Sequence, residues 1–425
     1  MGCISVGGRK SSRGGNCMSL EHSSMVQNYL NTVCLQIKWH EAHIQVKLEL
    51  LSHLEELASE LIDEGLSEQE AISVAIRRMG DATALGRQLQ HTHTPQKNWL
   101  LVATVAMLSG MGIVLMYLLG ASGSLITTSQ VFIKSVIFTG IGAALLLFLY
   151  YCDLRRLRDY TAYFYVGTLL LWLAVSIWGT SVNGKVFLSL GPVSIDYISL
   201  VPYFLTFALS GMFACRDWSN RQWLVKALLL LVVPVFICAM SNDAYLLLVY
   251  MLVFLALMAM AGAAKTIIAG FSILPLGLLL IKTSQEVNGF NLSNIQLANL
   301  LGQDNLQVGG AAFHTDYVLR YAIQAFGWLA GSLIIFAEAA LLLILVLATL
   351  KIKDQFGRMT MGGLTVCLAV QMAWHVLMPL GLISEVSASL PFISFGGSQT
   401  IAHLAAIGVI LSFYKRKNLA NLSGK

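Results

Sequence analysis

Long apolar runs broken by short polar stretches begin at residue 99; before that point apolar residues come singly, at helical spacing. The runs fall near 99–119, 131–151, 161–180, 198–214, 224–240, 244–263, 266–282, 318–350, 361–383 and 398–414. A helix needs about 20 apolar residues to cross a bilayer core, so hydropathy predicts about ten transmembrane helices. The eighth run is longer than a membrane is thick, and its start is expected to lie outside.

Ahead of the spans, Leu50, Leu51, Leu54, Leu57, Ala58, Leu61 and Ile62 form the i, i+3, i+4, i+7 stripe of an amphipathic helix over about 36–62. Gly65 suits its C-terminal end. Ser67 and Glu70 make a capping-box pattern for a second helix through Met79. Gly80 ends that helix, and Asp81 can N-cap a third, to about Gln90. Residues 26–95 are therefore expected to form a small cytoplasmic three-helix domain, marginal alone and stable against a partner. Residues 1–25 read as a disordered Gly/Ser-rich leader, with Met18 and Met25 as alternative starts. Val6 stands where a myristoylation pattern after Gly2 wants Ser or Thr.

Composition agrees with a chain mostly in lipid. Of 425 residues, 56% are hydrophobic and 12% charged, and mean hydropathy is +0.71; a soluble domain carries about 25% charged residues. The fold class is all-α and polytopic. A net charge of +5 without a dense Lys/Arg run gives no nucleic-acid patch. No cleavable signal peptide is visible. Seven cysteines, at 3, 17, 34, 152, 215, 238 and 367, form no CxxC pair and read as free thiols. Arg155, Arg156, Arg158, Arg216, Arg221, Lys226, Lys265, Lys351, Lys353 and Arg358 all fall in loops on one side of the membrane. The terminal Lys415, Arg416 and Lys417 share that side. The other side holds Lys185, Lys282 and a bordering Arg320. The basic side faces the cytoplasm, so both termini are expected there, with 418–425 as a short tail.

Chemistry concentrates near the end of the chain. Two apolar runs flank a non-apolar hinge at 384–398 containing Pro391, Gly396 and Gly397, where a regular helix should break. Broken backbone near a membrane is tolerated only inside protein or along a wet cavity, so LPFISFGGS reads as the lip of a polar cavity. Glu338, His375 and His403 lie inside spans, where ionisable groups cost about 2.5–3.5 kcal/mol. Glu338 is expected to be protonated or paired, and both histidines to be hydrogen-bonded within the bundle. Trp374, Phe392 and Phe395 read as packing. His40 and His43, with His53 beyond, complete no metal set. Asp316 follows His314 and Thr315 at the mouth of a span, where Asp or Thr would also serve as an N-cap. The loop 283–316, rich in Asn, Gln and Gly, is long enough to be functional or disordered.

LPFISFGGSQTIAHLAAIG resembles the LPFISYGGSSLLANLIAIG signature of the SEDS family (shape, elongation, division and sporulation), which includes FtsW, RodA and SpoVE. Gln371 and residues 375–381 resemble the family's Q…NIGMVLG, and HTDY at 314–317 its HTDF. NGKVFLSLGP at 183–192 looks like NGARRWIxLGP. The resemblance spans 98–417. It implies a peptidoglycan glycosyltransferase of the bacterial cytoplasmic membrane, multi-pass and serving division, elongation or sporulation. Such an enzyme polymerises lipid II at the outer face with a class B penicillin-binding protein. It implies Asp316 as the catalytic residue, and His314, Thr315, Gln371, Ser394, Gly396, Gly397 and Ser398 as substrate-binding. A divalent cation, Mg or Mn, is the cofactor it would admit, although no residue set singles one out. Residues 49–81 resemble the regulatory helical prefix found ahead of some bacterial permeases. Gln324 and Ala325 stand where the family carries an acidic pair, which keeps open a non-catalytic scaffold or regulator of a cell-wall complex. A lipid flippase or transporter is the third reading; transporters usually show paired broken helices, and one broken segment is evident here.

Overall fold

The computed structural model describes residues 23–92, 94–121, 128–182, 185–191, 193–214, 216–240, 244–286, 318–378 and 389–417. The chain divides into two compact units, Met1–Lys97 with Lys415–Lys425, and Asn98–Tyr414.

Among the described residues the first unit contains four helices, not the three expected: α1 (Ser24–Leu35), α2 (His40–Asp63), α3 (Glu68–Met79) and α4 (Ala82–Thr92). The additional helix is α1, whose Val26, Tyr29, Leu30 and Val33 recur at i, i+3, i+4, i+7 and are buried. The stripe of α2 packs Leu50, Leu54, Ala58 and Leu61 in one core with Ala71, Ile72 and Ala75 of α3. The capping box forms, Glu70 Oε2 accepting from Ser67 N at 3.4 Å and from Ser67 Oγ at 2.6 Å. Asp81 Oδ2 accepts from Ala84 N at 2.9 Å and from the Thr83 hydroxyl. Gly80, with φ +87°, makes the turn between α3 and α4 in a region that other residues rarely enter. His43 Nε2 donates to the Ile37 carbonyl at 2.7 Å. Residues after the last helix belong to this unit: Gln96 N donates to Lys415 O at 3.2 Å, and Arg416 pairs with Glu41.

The second unit is built from α5 (Trp99–Ala121), α6 (Thr128–Tyr151), α7 (Thr161–Trp178), α8 (Val201–Phe213), α9 (Arg221–Met240), α10 (Ala244–Met260), α11 (Lys265–Glu286), α12 (Val318–Leu350), α13 (Gln355–Leu377) and α14 (Gly397–Lys415). Seven of these, among the described residues, are long and apolar enough to cross a membrane. Three shorter apolar helices, Ile198–Phe213, Ala244–Met260 and Lys265–Leu278, stand where the other three spans are expected. Leu209, Phe213, Phe254, Leu257, Leu341, Leu368 and Ile407 are buried in the core, while Leu329, Phe336 and Leu350 are exposed. Apolar residues on both the inside and the outside are what a lipid-facing helix requires. The eighth run is composite: Gly327, at φ +80° and ψ 176°, interrupts α12.

Between α7 and α8 lies an element the apolar pattern does not foresee. β1 (Thr180–Val182), β2 (Lys185–Leu190) and β3 (Val193–Ile195) form an antiparallel sheet in that order, with Thr180 opposite Phe187 and Leu188 opposite Ile195. A 3-10 turn, Ile198–Leu200, connects β3 to α8.

Candidate site at the loop between α13 and α14

The helix breaks as the sequence predicts: α14 begins at Gly397, and residues 389–396 form a compact loop. Ser394 closes it, accepting from Leu390 N through Oγ at 2.8 Å and donating its own N–H to Leu390 O at 3.1 Å. Inside this turn Phe392 adopts φ +64°. That is left-handed backbone, costing a non-glycine residue about 1–2 kcal/mol. The surroundings enforce it. Phe392 is buried, with its ring 5.5 Å from that of His403. A Cβ on Gly112 of α5 would come within 2.8 Å of the Phe392 and Ile393 backbone, so the loop rests directly on that helix. A small cavity remains there, edged by Ser109 and Gly112 of α5, Ser135 and Thr139 of α6, and Ser394 and Gly396 of the loop.

Beneath the loop, Gln371 of α13 ties three elements together. Its Nε2 donates to Ser389 O at 2.7 Å. A carbonyl only accepts, so the amide orientation is fixed and Oε1 faces the other way. There it accepts from Tyr203 Oη of α8 at 2.9 Å and from His403 Nε2 of α14 at 3.1 Å. His403 therefore carries its proton on Nε2. The neighbouring His375 behaves differently: it is buried, and neither ring nitrogen has a hydrogen-bond partner among the described residues. Glu338 of α12 is likewise buried with both oxygens unpartnered among the described residues.

A second polar cluster holds the start of α14. Asp196 N donates to Ser398 Oγ at 3.1 Å. The Asp196 carboxylate caps the turn into α8, with Oδ1 accepting from Ser199 N at 3.2 Å and Oδ2 from Ser199 Oγ at 2.7 Å. Gln399 Nε2 reaches the same carboxylate at 3.2 Å and Ser199 Oγ at 2.9 Å. Gly397 packs bare against Phe138, whose ring a Cβ would approach to 2.8 Å.

Of the residues singled out from the sequence, Gln371, Ser394, Gly396, Gly397 and Ser398 are gathered around this loop. His314, Thr315 and Asp316 lie outside the described residues. Sequence reasoning did not find Asp196, Ser199, Tyr203 and Gln399. Asp196 with Ser199 three positions on has the spacing of a cap, but Tyr203 sits in an apolar run with no polar signal near it. Among the described residues no group of three His, Cys, Asp or Glu side chains could hold a metal ion. The Asp196 oxygens already accept from Ser199 and Gln399, so the described residues here do not fit a divalent cation.

The family of FtsW, RodA and SpoVE, described as cell cycle proteins, matches residues 98–298 and 310–419. The chain belongs to this family. Among curated relatives, the probable peptidoglycan glycosyltransferase FtsW of Trichlorobacter lovleyi is 31% identical over 116 residues, 26% of this chain and 29% of the relative. The peptidoglycan glycosyltransferase MrdB of Escherichia coli is 31% identical over 111 residues, 26% of this chain and 30% of the relative. The chain thus matches under a third of the length of these curated relatives. The crystal structure of the rod shape determining protein RodA from Thermus thermophilus superposes with a TM-score of 0.61 at 23% identity, covering 75% of this chain and 97% of that one. A chain from a peptidoglycan synthase complex, in a study of coordinated polymerization and crosslinking, gives a TM-score of 0.63 at 21% identity, covering 76% and 99%. These likenesses establish the SEDS fold, and with it a multi-pass membrane protein.

Proposed function

We propose that this chain is a peptidoglycan glycosyltransferase that polymerises lipid II at the outer face of the bacterial cytoplasmic membrane. The observation that carries the reading is the loop at 389–396: a residue in left-handed backbone, held by Gln371, Tyr203 and His403, within the family's signature. Enforced strain of this kind clusters at functional sites. Asp316 is the proposed general base. It takes the proton from an acceptor sugar hydroxyl as that oxygen attacks C1 of the lipid-linked donor. The bond from C1 to the pyrophosphate oxygen breaks, and undecaprenyl pyrophosphate leaves. His314, Thr315, Ser394, Gly396, Gly397 and Ser398 contact substrate. Gln371, with both ends of its amide engaged, acts by holding the loop.

Basic-residue asymmetry supports both termini in the cytoplasm. The proposed partner is a class B penicillin-binding protein, consistent with the synthase complex that the fold resembles, and the helices of residues 26–95 form a cytoplasmic regulatory domain. The test is polymerisation of labelled lipid II by purified protein, with and without candidate partners, read as glycan ladders. Gln324 and Ala325, in place of the family's acidic pair, favour a second reading, a non-catalytic scaffold. Absence of polymer with every partner would select it.

A further inference from the structure

The first turn of α14 and the start of the loop before it leave two buried polar atoms unclaimed near Gly396. Gln399 is 8% exposed, and its Nε2 is committed to Asp196 and Ser199. A carboxylate only accepts, so Asp196 fixes the orientation of the Gln399 amide and turns Oε1 away from itself. That Oε1 has no donor among the described residues. Ser389 is 3% exposed, and its hydroxyl is equally without a partner among them. Both side chains flank the same point. A carbon built on Gly396 would lie 3.7 Å from Gln399 Oε1 and 4.0 Å from Ser389 Cβ, with Gln399 Cβ nearest at 3.6 Å. Gly396 itself is half-buried. Buried polar atoms in native proteins are nearly always satisfied, and here an unclaimed acceptor and an unclaimed hydroxyl belong to two side chains that flank one glycine.

We propose that Gly396, Ser389 and Gln399 form a subsite for the acetamido group of an amino sugar. A secondary amide offers one N–H, one carbonyl and, in an acetamide, one methyl. The N–H donates to Gln399 Oε1, which can only accept. The carbonyl accepts from the Ser389 hydroxyl. The methyl lies over Gly396, where any side chain would displace it. An anion is selected against, because Gln399 presents an oxygen with the Asp196 carboxylate behind it. A single sugar hydroxyl would satisfy one of the two atoms and leave the other unpaired. The inference rests on the proposed reaction, whose lipid-linked sugars carry acetamido groups, and it names which part of them this loop reads.

The decisive variant is Gly396→Ala in the full-length protein. The added methyl meets only ordinary contact distances, and the Gly396 backbone is not left-handed, so the unfolding midpoint should not move. The KM for lipid II should rise by about tenfold or more, the scale on which one pocket group is discriminated. Ser389→Ala should raise KM in the same direction. An unchanged KM in Gly396→Ala overturns the subsite. A second readout does not need turnover: saturation-transfer NMR of the full-length protein with the disaccharide of N-acetylglucosamine, against cellobiose, which has hydroxyls in place of the acetamides. Transfer to the acetamido methyl in wild type, lost in Gly396→Ala and absent from cellobiose, is the expected result. Equal transfer to cellobiose, or none to either sugar, overturns the subsite. If wild type makes no polymer but passes the NMR test, the reaction falls and the subsite stands.

Discussion

Arg416 donates through Nε and Nη2 to the two oxygens of Glu41, at 2.6 and 2.8 Å, across 375 positions of sequence. The two ends of the pair are not equally dry: the Arg416 side chain is 1% exposed and that of Glu41 is 32%. Removing Glu41 would take two acceptors from a buried guanidinium, whereas removing Arg416 would leave a carboxylate that water can reach. Glu41→Ala should therefore destabilise the first unit by about 2–3 kcal/mol, the scale of hydrogen bonds to a charged group. Arg416→Ala should cost less, about 1–2 kcal/mol. Hydrogen exchange of the α2 amides in full-length protein would report both, and equal effects would refute the asymmetry.

Gln371→Leu deprives three groups of a partner at once: Ser389 O, Tyr203 Oη and His403 Nε2. Each buried group left unsatisfied costs about 1–3 kcal/mol. The variant should lose polymerase activity and show faster exchange across 389–396. Gln371→Glu keeps the acceptor for Tyr203 and His403 but cannot donate to Ser389 O, so it should fall between wild type and Leu. Wild-type exchange in the Leu variant would show that the loop holds its shape without the network.

Asp316 distinguishes chemistry from capping. As a general base its loss costs about 100- to 10,000-fold in rate, and Asp316→Asn and Asp316→Ala should be equally inactive, yet inserted and stable. As a helix cap alone, Asn would behave as wild type and Ala would lose about 1 kcal/mol of stability. A wild-type rate of glycan polymerisation for Asp316→Asn removes the catalytic role.

The caps of the first unit set its response to acid. The Ser67 hydroxyl and then its backbone N–H hold the Glu70 carboxyl below its ordinary 4.5. The Thr83 hydroxyl, followed by Ala84 N–H, holds Asp81 below 3.8. A carboxylate with a lowered folded-state pKa contributes stability that is present above its unfolded pKa and lost as pH falls through the folded one. The first unit should therefore keep these contributions above pH 4.5 and lose them progressively below it. In Glu70→Gln with Asp81→Asn the acid limb should flatten, as followed by α3 and α4 exchange against pH. An identical acid limb would show the caps uninvolved.

Orientation is testable with single cysteines. One placed at Asn291 should react with an impermeant reagent in intact cells, and one at Arg156 should not. The reverse pattern would put the loop at 389–396 on the other side of the membrane from the proposed substrate.

Local patterns were the legible part of this chain. Apolar runs and the Ser67–Glu70 box involve residues a few positions apart, and they predicted the helices of the second unit and the boundary between α2 and α3. The stripe in α1 was equally local but adjoins a polar Gly/Ser-rich stretch, which masked it. The sheet was obscured because strands of three to six residues carry too little alternation, although Asn183-Gly184 between β1 and β2 is a hairpin dipeptide. The site is the opposite case. Pro391 and the glycine pair marked the break, but what holds it comes from far away: Asp196 meets Gln399 across 203 positions, and Tyr203 meets Gln371 across 168. His375 and His403 show the limit well. They are the same residue type in similar apolar surroundings, and only the fold reveals that one is bonded to Gln371 and the other has no hydrogen-bond partner among the described residues.

Gly327 has a consequence for how this protein can change over time. In an unbroken helix every inserted residue rotates all that precedes it by about 100° relative to all that follows. Because α12 is interrupted at Gly327, an insertion before that point can be absorbed at the joint. Residues 318–326 would turn, while Leu341, Leu345 and Glu338 would keep the faces they now present. The long apolar part of the helix is thereby insulated from a change of length in residues 318–326.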